Sequence, residues 1–281
     1  MASNLVRAGH ELVVHNRTRQ KAAALAERGA VAVDSPREVA ERSDIIITML
    51  PDSPDVEQVV TAPDGILEGI RPGALLVDMS TISPVVTREL SDRLKAHGAA
   101  MLDAPVSGGD VGAIEGSLSI MVGGEAAHFE RALPLFQVMG KTVVHVGGIG
   151  AGQVTKAANQ VVEALTIAAV SEALVLGSKG GVAPEKILDV LGGGLAGNQV
   201  MKVKRQKFLE HTFDPGFRSE LHHKDLGIAL SAARTYGLAL PLTSLVDQLF
   251  QAMKQKGWGR EDHAGLLRVI EDLSSYSIAD R

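Results

Sequence analysis

The sequence predicts a doubly wound α/β fold over residues 1–149, built on a mostly parallel sheet, and an all-α domain over residues 150–281. Three observations carry this expectation. Through the first half, short runs of Val, Ile and Leu alternate with amphipathic stretches, the pattern of strands covered on both faces by helices. Beyond Gly152 the strand-like runs cease, and helical segments are separated by turn signals such as "GGVAP", "LGGGLAGN", "TFDPGF" and "KGWGRED". At the junction lies a long helical stretch: from Val154 to Leu176 there is no Pro or Gly, and Lys156 is the sole basic residue.

The elements follow in order. "MASNLVRAGH" reads as the end of a crossover helix closed by Gly9, "ELVVHN" as a strand and "TRQKAAALAERG" as the next helix. Strand "DIIITML" precedes helix "PDVEQVV", and strand "ALLVDMS" precedes helix "SPVVTRELSDRLKAHG". Strand "AAMLDAP" follows, then strand "SLSIMVGG" with helix "EAAHFERALPLFQVMG", and "KTVVHVG" closes the half. A sheet of this kind ordinarily opens with a strand and a G-x-G-x-x-G turn that holds the cofactor pyrophosphate on a helix N-terminus. Here the first strand and its loop are missing from the sequence. On the order of fifteen upstream residues are expected to carry them.

With 281 residues, 45% hydrophobic and 22% charged, there is material for two domains of ordinary size. A net charge of -5 with one Trp, two Tyr and six Phe gives neither a basic field nor a stacking platform, which argues against nucleic acid. The absence of Cys removes disulfides, thiol nucleophiles and Cys-based zinc sites, and suits a cytoplasmic location. No apolar run reads as membrane-spanning and no signal peptide is recognised, so no membrane partner is expected.

Chemistry concentrates in a few stretches. On the long helix Lys156, Asn159, Gln160 and Glu163 fall at i, i+3, i+4 and i+7 and share one face, while Val161, Val162, Leu165, Ala168 and Ala169 fill others. A lysine near a helix start commonly just reaches for water. On a helix otherwise made of small, amide and aliphatic residues, a polar stripe points instead to a covered use. "ELVVHN" runs into Asn16, Arg17 and Thr18, with no carboxylate. After this strand an acid holds the 2'-hydroxyl of NAD whereas an Arg accommodates the 2'-phosphate of NADP, so NADP is the preferred cofactor expected and NAD the alternative. "MLPD" and "DMSTISP" end strands at the sheet edge where cofactors bind. In "DAPVSGGDVGA" a strand meets a Ser-Gly-Gly turn whose amides and hydroxyl can cup an anion. "LHHKDL" sets Lys224 and Asp225 on a helix; its adjacent histidines diverge, and no metal site is expected.

Together and in this order, "DAPVSGG", "GAGQVTKAANQ" and "HHKDL", with "ITMLPDSP", "GGLAGN" and "DHAGL", resemble the β-hydroxyacid dehydrogenase family over essentially the whole chain, and within it the tartronate semialdehyde-reducing branch. The resemblance implies a Rossmann domain joined by the long helix to an all-α domain, as in 6-phosphogluconate dehydrogenase, with the active site between them. It implies that Lys156 is the catalytic lysine, with Asn159 and Gln160 lining the site, and that Ser107, Gly108 and Gly109 bind the substrate. Leu50, Pro51 and Thr81 match cofactor-contacting positions, and Lys224 matches a lysine that closes over the cofactor. The reaction implied is NAD(P)H-dependent reduction of a small carboxylate-bearing aldehyde to the hydroxy acid. The substrate expected first is 2-hydroxy-3-oxopropionate, giving glycerate; 3-hydroxyisobutyrate oxidation and succinic semialdehyde reduction are the alternatives. A homodimer or homotetramer is the family expectation. The missing Gly-rich loop and the Asn-Arg-Thr at 16–18 depart from the family pattern.

Hydride addition to an aldehyde leaves charge on the oxygen, and a lysine in a half-dry cleft can donate a proton there, so Lys156 is expected to act as general acid in reduction and base in oxidation. Two other readings compete. Imine reductases share this architecture but usually lack the lysine, and a catalytically silent truncated homologue would serve as an interaction module. Intact Lys156, Ser107 and Asn159 argue against the second.

Overall fold

The structure, a computed structural model, describes residues 1–279. Contacts divide the chain into two compact units, Met1–Lys156 and the chain from Ala157 onward. The boundary expected after residue 149 lies at the foot of the long helix, whereas the units part within that helix.

The first unit begins with α1 (Ala2–Arg7), β1 (Val13–Val14), α2 (Arg19–Ala26), β2 (Val31–Ala32), α3 (Pro36–Glu41) and β3 (Ile45–Thr48). It continues through α4 (Ser53–Thr61), α5 (Ile66–Gly69), β4 (Leu75–Asp78), α6 (Pro84–Ala96), β5 (Ala100–Asp103), β6 (Val106–Ser107) and α7 (Gly109–Glu115). β7 (Leu118–Gly123), α8 (Ala126–Met139) and β8 (Gly140–Gly147) complete it. Strands form two sheets. β1 pairs in parallel with β2, and in the larger sheet the order is β3-β4-β5-β7-β6, with β8 also on β7. β3, β4 and β5 are parallel, as are β7 and β8; β7 runs antiparallel to β5 and β6.

The strands read as nearly continuous apolar runs because alternate residues serve opposite layers. Leu75, Val77 and Leu102 pack in one cluster with Ile120, Val122 and Phe136, while Ile46, Leu76 and Met101 pack in the other with Val56, Val60 and Leu90. Helices start where the sequence provides caps: Ser35 and Ser83 accept the amides of Glu38 and Val85, and each is followed by a Pro at the first helical position.

α9 (Ala151–Lys179) runs from the first unit into the second. There follow α10 (Pro184–Gly193), α11 (Gln199–Glu210), α12 (Ser219–Tyr236), α13 (Pro241–Gln255), a 3₁₀ turn (His263–Gly265) and α14 (Leu266–Ser274). By length and composition α9 could cross a bilayer, a capacity that the sequence pattern alone had assigned to no segment. Its Ala164, Ile167, Val170 and Leu174 are instead buried in the two apolar clusters of the helical unit, with Phe208, Leu226, Phe250 and Leu267.

Candidate active site

Thr48, Asp78 and Asp103, the last residues of three neighbouring parallel strands, stand in register at the carboxyl edge of the sheet. Thr48 Oγ1 donates to Asp78 Oδ1 at 2.9 Å, and the Ser80 amide donates to the same oxygen at 3.2 Å. Ser80 Oγ accepts the Leu50 amide at 2.9 Å. One hydroxyl thus ties the Leu50–Pro51 segment to the loop carrying Thr81, two of the cofactor-contacting segments expected from sequence. Burial pushes the Asp78 carboxyl up to about 6, against the Ser80 and Thr48 hydrogen bonds that favour its charge.

Asp103 is fully buried and receives the first turn of α9. Its Oδ1 accepts the Gly150 amide at 2.7 Å and its Oδ2 the Gln153 amide at 2.8 Å. The carboxylate therefore takes up amides that a helix start leaves unpaired, where the helix dipole also favours negative charge. Burial raises its pKa to about 6 despite those bonds. The glycine-rich approach to α9 has a steric cause at Gly152. A Cβ there would stand 2.4 Å from the Met121 carbonyl oxygen and 2.6 Å from that of Asp103. Lys156 lies one turn beyond Gln153 on this helix and is 5% exposed.

Ser107 ends β6, and Gly108 and Gly109 follow with φ of +132° and +61°, conformations that side-chain-bearing residues rarely adopt. The turn is accessible, with Ser107 half-buried and both glycines exposed. At the end of β1 the Thr18 amide donates to Asn16 Oδ1 at 2.8 Å, a local turn that leaves Arg17 exposed. This segment belongs to the small sheet, apart from the Leu50 and Thr81 loops.

In the helical unit, Asn159 Nδ2 donates to Gln160 Oε1 at 2.9 Å and Gln160 Nε2 donates to Asp225 Oδ2 at 2.7 Å. Lys224 Nζ pairs with Asp225 Oδ1 at 2.9 Å. The stripe expected on the long helix is thus linked to "HHKDL", bringing Asn159, Gln160 and Lys224 into one network. Beneath it His222 Nδ1 lies 2.9 Å from His263 Nδ1, and His222 Nε2 lies 3.2 Å from the Gln160 carbonyl oxygen. His223 points elsewhere, to Asp247 at 3.3 Å. Among the described residues no group of three His, Cys, Asp or Glu side chains is placed to hold a metal ion.

Sequence reasoning passed over Asp103, Gln153 and His263. The available signals were an acid closing an apolar strand in "MLDAP" and the position of Gln153 one turn before Lys156. A dinucleotide fits the residues present at two places: the exposed Arg17 guanidinium suits a ribose phosphate, and the linked Leu50 and Thr81 loops offer a floor at the sheet's carboxyl edge.

Residues 1–147 match the family model for the NAD binding domain of 6-phosphogluconate dehydrogenase, and residues 150–270 match that for the NAD-binding of NADP-dependent 3-hydroxyisobutyrate dehydrogenase. The chain is 44% identical to 2-hydroxy-3-oxopropionate reductase of Escherichia coli (strain K12), over 99% of this chain and 95% of that protein. It is 38% identical to 2-(hydroxymethyl)glutarate dehydrogenase of Eubacterium barkeri, over 99% and 93% of the two chains. The solved structure of Mycobacterium tuberculosis 3-hydroxyisobutyrate dehydrogenase with L-serine superposes with a TM-score of 0.88 at 32% identity, covering 96% of this chain and 94% of that one. Two family models spanning nearly the whole chain, on a Rossmann-like sheet followed by a helical unit, make the chain a member of the 3-hydroxyisobutyrate dehydrogenase-like β-hydroxyacid dehydrogenases, an NAD(P)-dependent oxidoreductase acting on CH–OH groups of small acids.

Proposed function

We propose that the chain reduces 2-hydroxy-3-oxopropionate to glycerate with NADPH, with Lys156 as the proton donor. The observation that carries this is the burial of Lys156, the one basic residue between Val154 and Leu176, on a helix whose first turn is fixed to the carboxyl edge of the sheet. The nicotinamide cofactor, when bound, supplies the hydride to the aldehyde carbon. The Lys156 ammonium gives a proton to the developing alkoxide oxygen and takes one back in the reverse direction. The Ser107 hydroxyl and the backbone amides of Gly108 and Gly109 hold the substrate carboxylate, a role favoured by their accessible turn. Asn159 orients the substrate hydroxyl, while Gln160, bonded to Asp225, keeps Asn159 in place. Arg17 takes the 2'-phosphate of NADPH, and Lys224 is a further cofactor-binding residue. Identity to the Escherichia coli relative supports the choice of substrate.

Lys156→Ala is expected to lower kcat by roughly a hundredfold or more while leaving the NADPH Kd unchanged. Survival of activity would remove Lys156 from this role. A kcat/KM comparison among tartronate, methylmalonate and succinic semialdehydes tests the substrate; faster turnover of either alternative overturns the assignment. Exposed Val162 and Leu176 on α9 with Leu242 and Leu245 on α13 are apolar surface of the kind a homodimer or homotetramer covers, which light scattering of the purified protein checks.

A further inference from the structure

Gln153 stands where several parts of the proposed site meet. It lies one turn before Lys156 on α9 and is 1% exposed. Its backbone amide donates to Asp103 Oδ2 at 2.8 Å, its Nε2 donates to the Ser80 carbonyl at 2.8 Å, and its Oε1 accepts the Ile82 amide at 3.1 Å. The side chain therefore brackets Thr81 as a neighbouring strand would, supplying both the donor and the acceptor that the flanking backbone groups need. Ser80 in turn accepts the Leu50 amide, and Asp103 ends the strand that leads to the Ser107 turn. One carboxamide thus joins the two cofactor-side loops to the helix of Lys156. No aliphatic side chain could satisfy the Ser80 carbonyl or the Ile82 amide, and Asn would fall one methylene short of them.

We propose that Gln153 is a positioning residue: it fixes the Thr81 loop against the helix that carries Lys156, so that the cofactor-side floor and the proton donor keep a set separation. The inference rests on the reading of Lys156 as proton donor.

Gln153→Glu tests it. The ionised side chain still accepts from Ile82 but turns a carboxylate oxygen toward the Ser80 carbonyl, whereas the neutral carboxyl donates O–H to Ser80 and reproduces the amide pattern. Of the charged groups on the neighbouring elements, Asp103 on β5 accepts the Gln153 amide, Asp78 on β4 lies two residues before Ser80, Lys156 is one turn further along α9, and Arg88 on α6 has its Nε 3.1 Å from where a Gly150 Cβ would stand. Burial lifts the Asp78 and Asp103 carboxyls to about 6 in the parent as well, so the readout is the ratio of variant to parent. At about pH 8 the expectation is a kcat about tenfold lower, an NADPH Kd raised about threefold by cofactor fluorescence, and faster hydrogen exchange at amides 80–82. By about pH 6 the kcat ratio should recover about fivefold. Gln153→Asn should show the same losses without the recovery.

Retention of kcat and NADPH affinity within about twofold in the Glu variant overturns the proposal, as does an equal loss at both pH values. Failure of both variants to fold makes the contact purely structural and overturns it too. A parent enzyme that reduces none of the aldehydes would sink the proposed function instead, while NADPH affinity and exchange would still decide the role of Gln153.

Discussion

Asn159 and Gln160 are adjacent amides with opposite demands on the fold. Gln160 is buried and its Nε2 satisfies a carboxylate oxygen of Asp225, which is 2% exposed; Asn159 is half-buried. Removing the donor leaves a buried anion short of a hydrogen bond, a loss that costs about 2 kcal/mol. Gln160→Ala is therefore expected to lower the free energy of urea unfolding by about that amount, and Asn159→Ala by less than about 0.5 kcal/mol. Kinetics should rank the other way, with Asn159→Ala lowering kcat/KM at least as much as Gln160→Ala. Equal unfolding midpoints for the two variants would show that the Asp225 contact contributes nothing. Arg17, proposed to take the 2'-phosphate, is exposed, and its turn is closed by the Thr18 amide on Asn16 Oδ1. Arg17→Ala should reduce the kcat/KM preference for NADPH over NADH by about tenfold, because a guanidinium–phosphate contact is charge-assisted. An unchanged ratio would place cofactor choice elsewhere.

At the scale of elements, two helical glycines make contrasting predictions. Gly152, in the first turn of α9, has backbone oxygens 2.4 and 2.6 Å from any added Cβ, so Gly152→Ala must lift the helix off the sheet edge. It is expected to destabilise by about 3 kcal/mol or more and to lower kcat, measured by urea unfolding and steady-state assay. Gly227 lies mid-way along α12 with nothing within 4 Å of a Cβ; Gly227→Ala should stabilise by about 0.5–1 kcal/mol. The same contrast explains what the sequence made legible. The polar stripe of α9 could be read because helical period alone puts Lys156, Asn159, Gln160 and Glu163 on one face. The glycines at 147, 148, 150 and 152 could be read as a sharp turn or a close approach, but not as an approach to Asp103. That contact joins residues 50 apart in sequence, and no local pattern encodes it. β2, β6, α3, α5 and α7 were missed for a simpler reason: two to seven residues carry little or no measurable period. The antiparallel step from β5 through β6 to β7 was hidden for the same reason, because it turns on a two-residue strand.

Over the whole molecule, a net charge of -5 coexists with two carboxyls that are entirely buried at the sheet edge, Asp78 and Asp103. Burial lifts both to about 6 in the folded chain, from 3.8 when exposed. Between about pH 4 and pH 6 the folded state therefore holds protons that the unfolded state releases, so the stability these groups contribute is present below the unfolded value and lost as pH rises through about 6. A rise of that size corresponds to on the order of 2–3 kcal/mol for each carboxyl. Activity runs the other way. Only the charged Asp103 is a strong acceptor for the Gly150 and Gln153 amides, so kcat should fall as pH drops below about 6 while the fold gains from the same protonation. Thermal unfolding followed from about pH 4.5 to pH 7.5 separates the two effects when the parent is set beside Asp78→Asn, which keeps an acceptor for Thr48 and Ser80 but cannot ionise. The variant should grow more stable relative to the parent across that interval, by on the order of 2 kcal/mol, with its kcat profile below pH 6 still falling because Asp103 is intact. A difference between the two proteins that stays constant with pH would mean that the buried Asp78 carboxyl keeps its ordinary acidity in the fold.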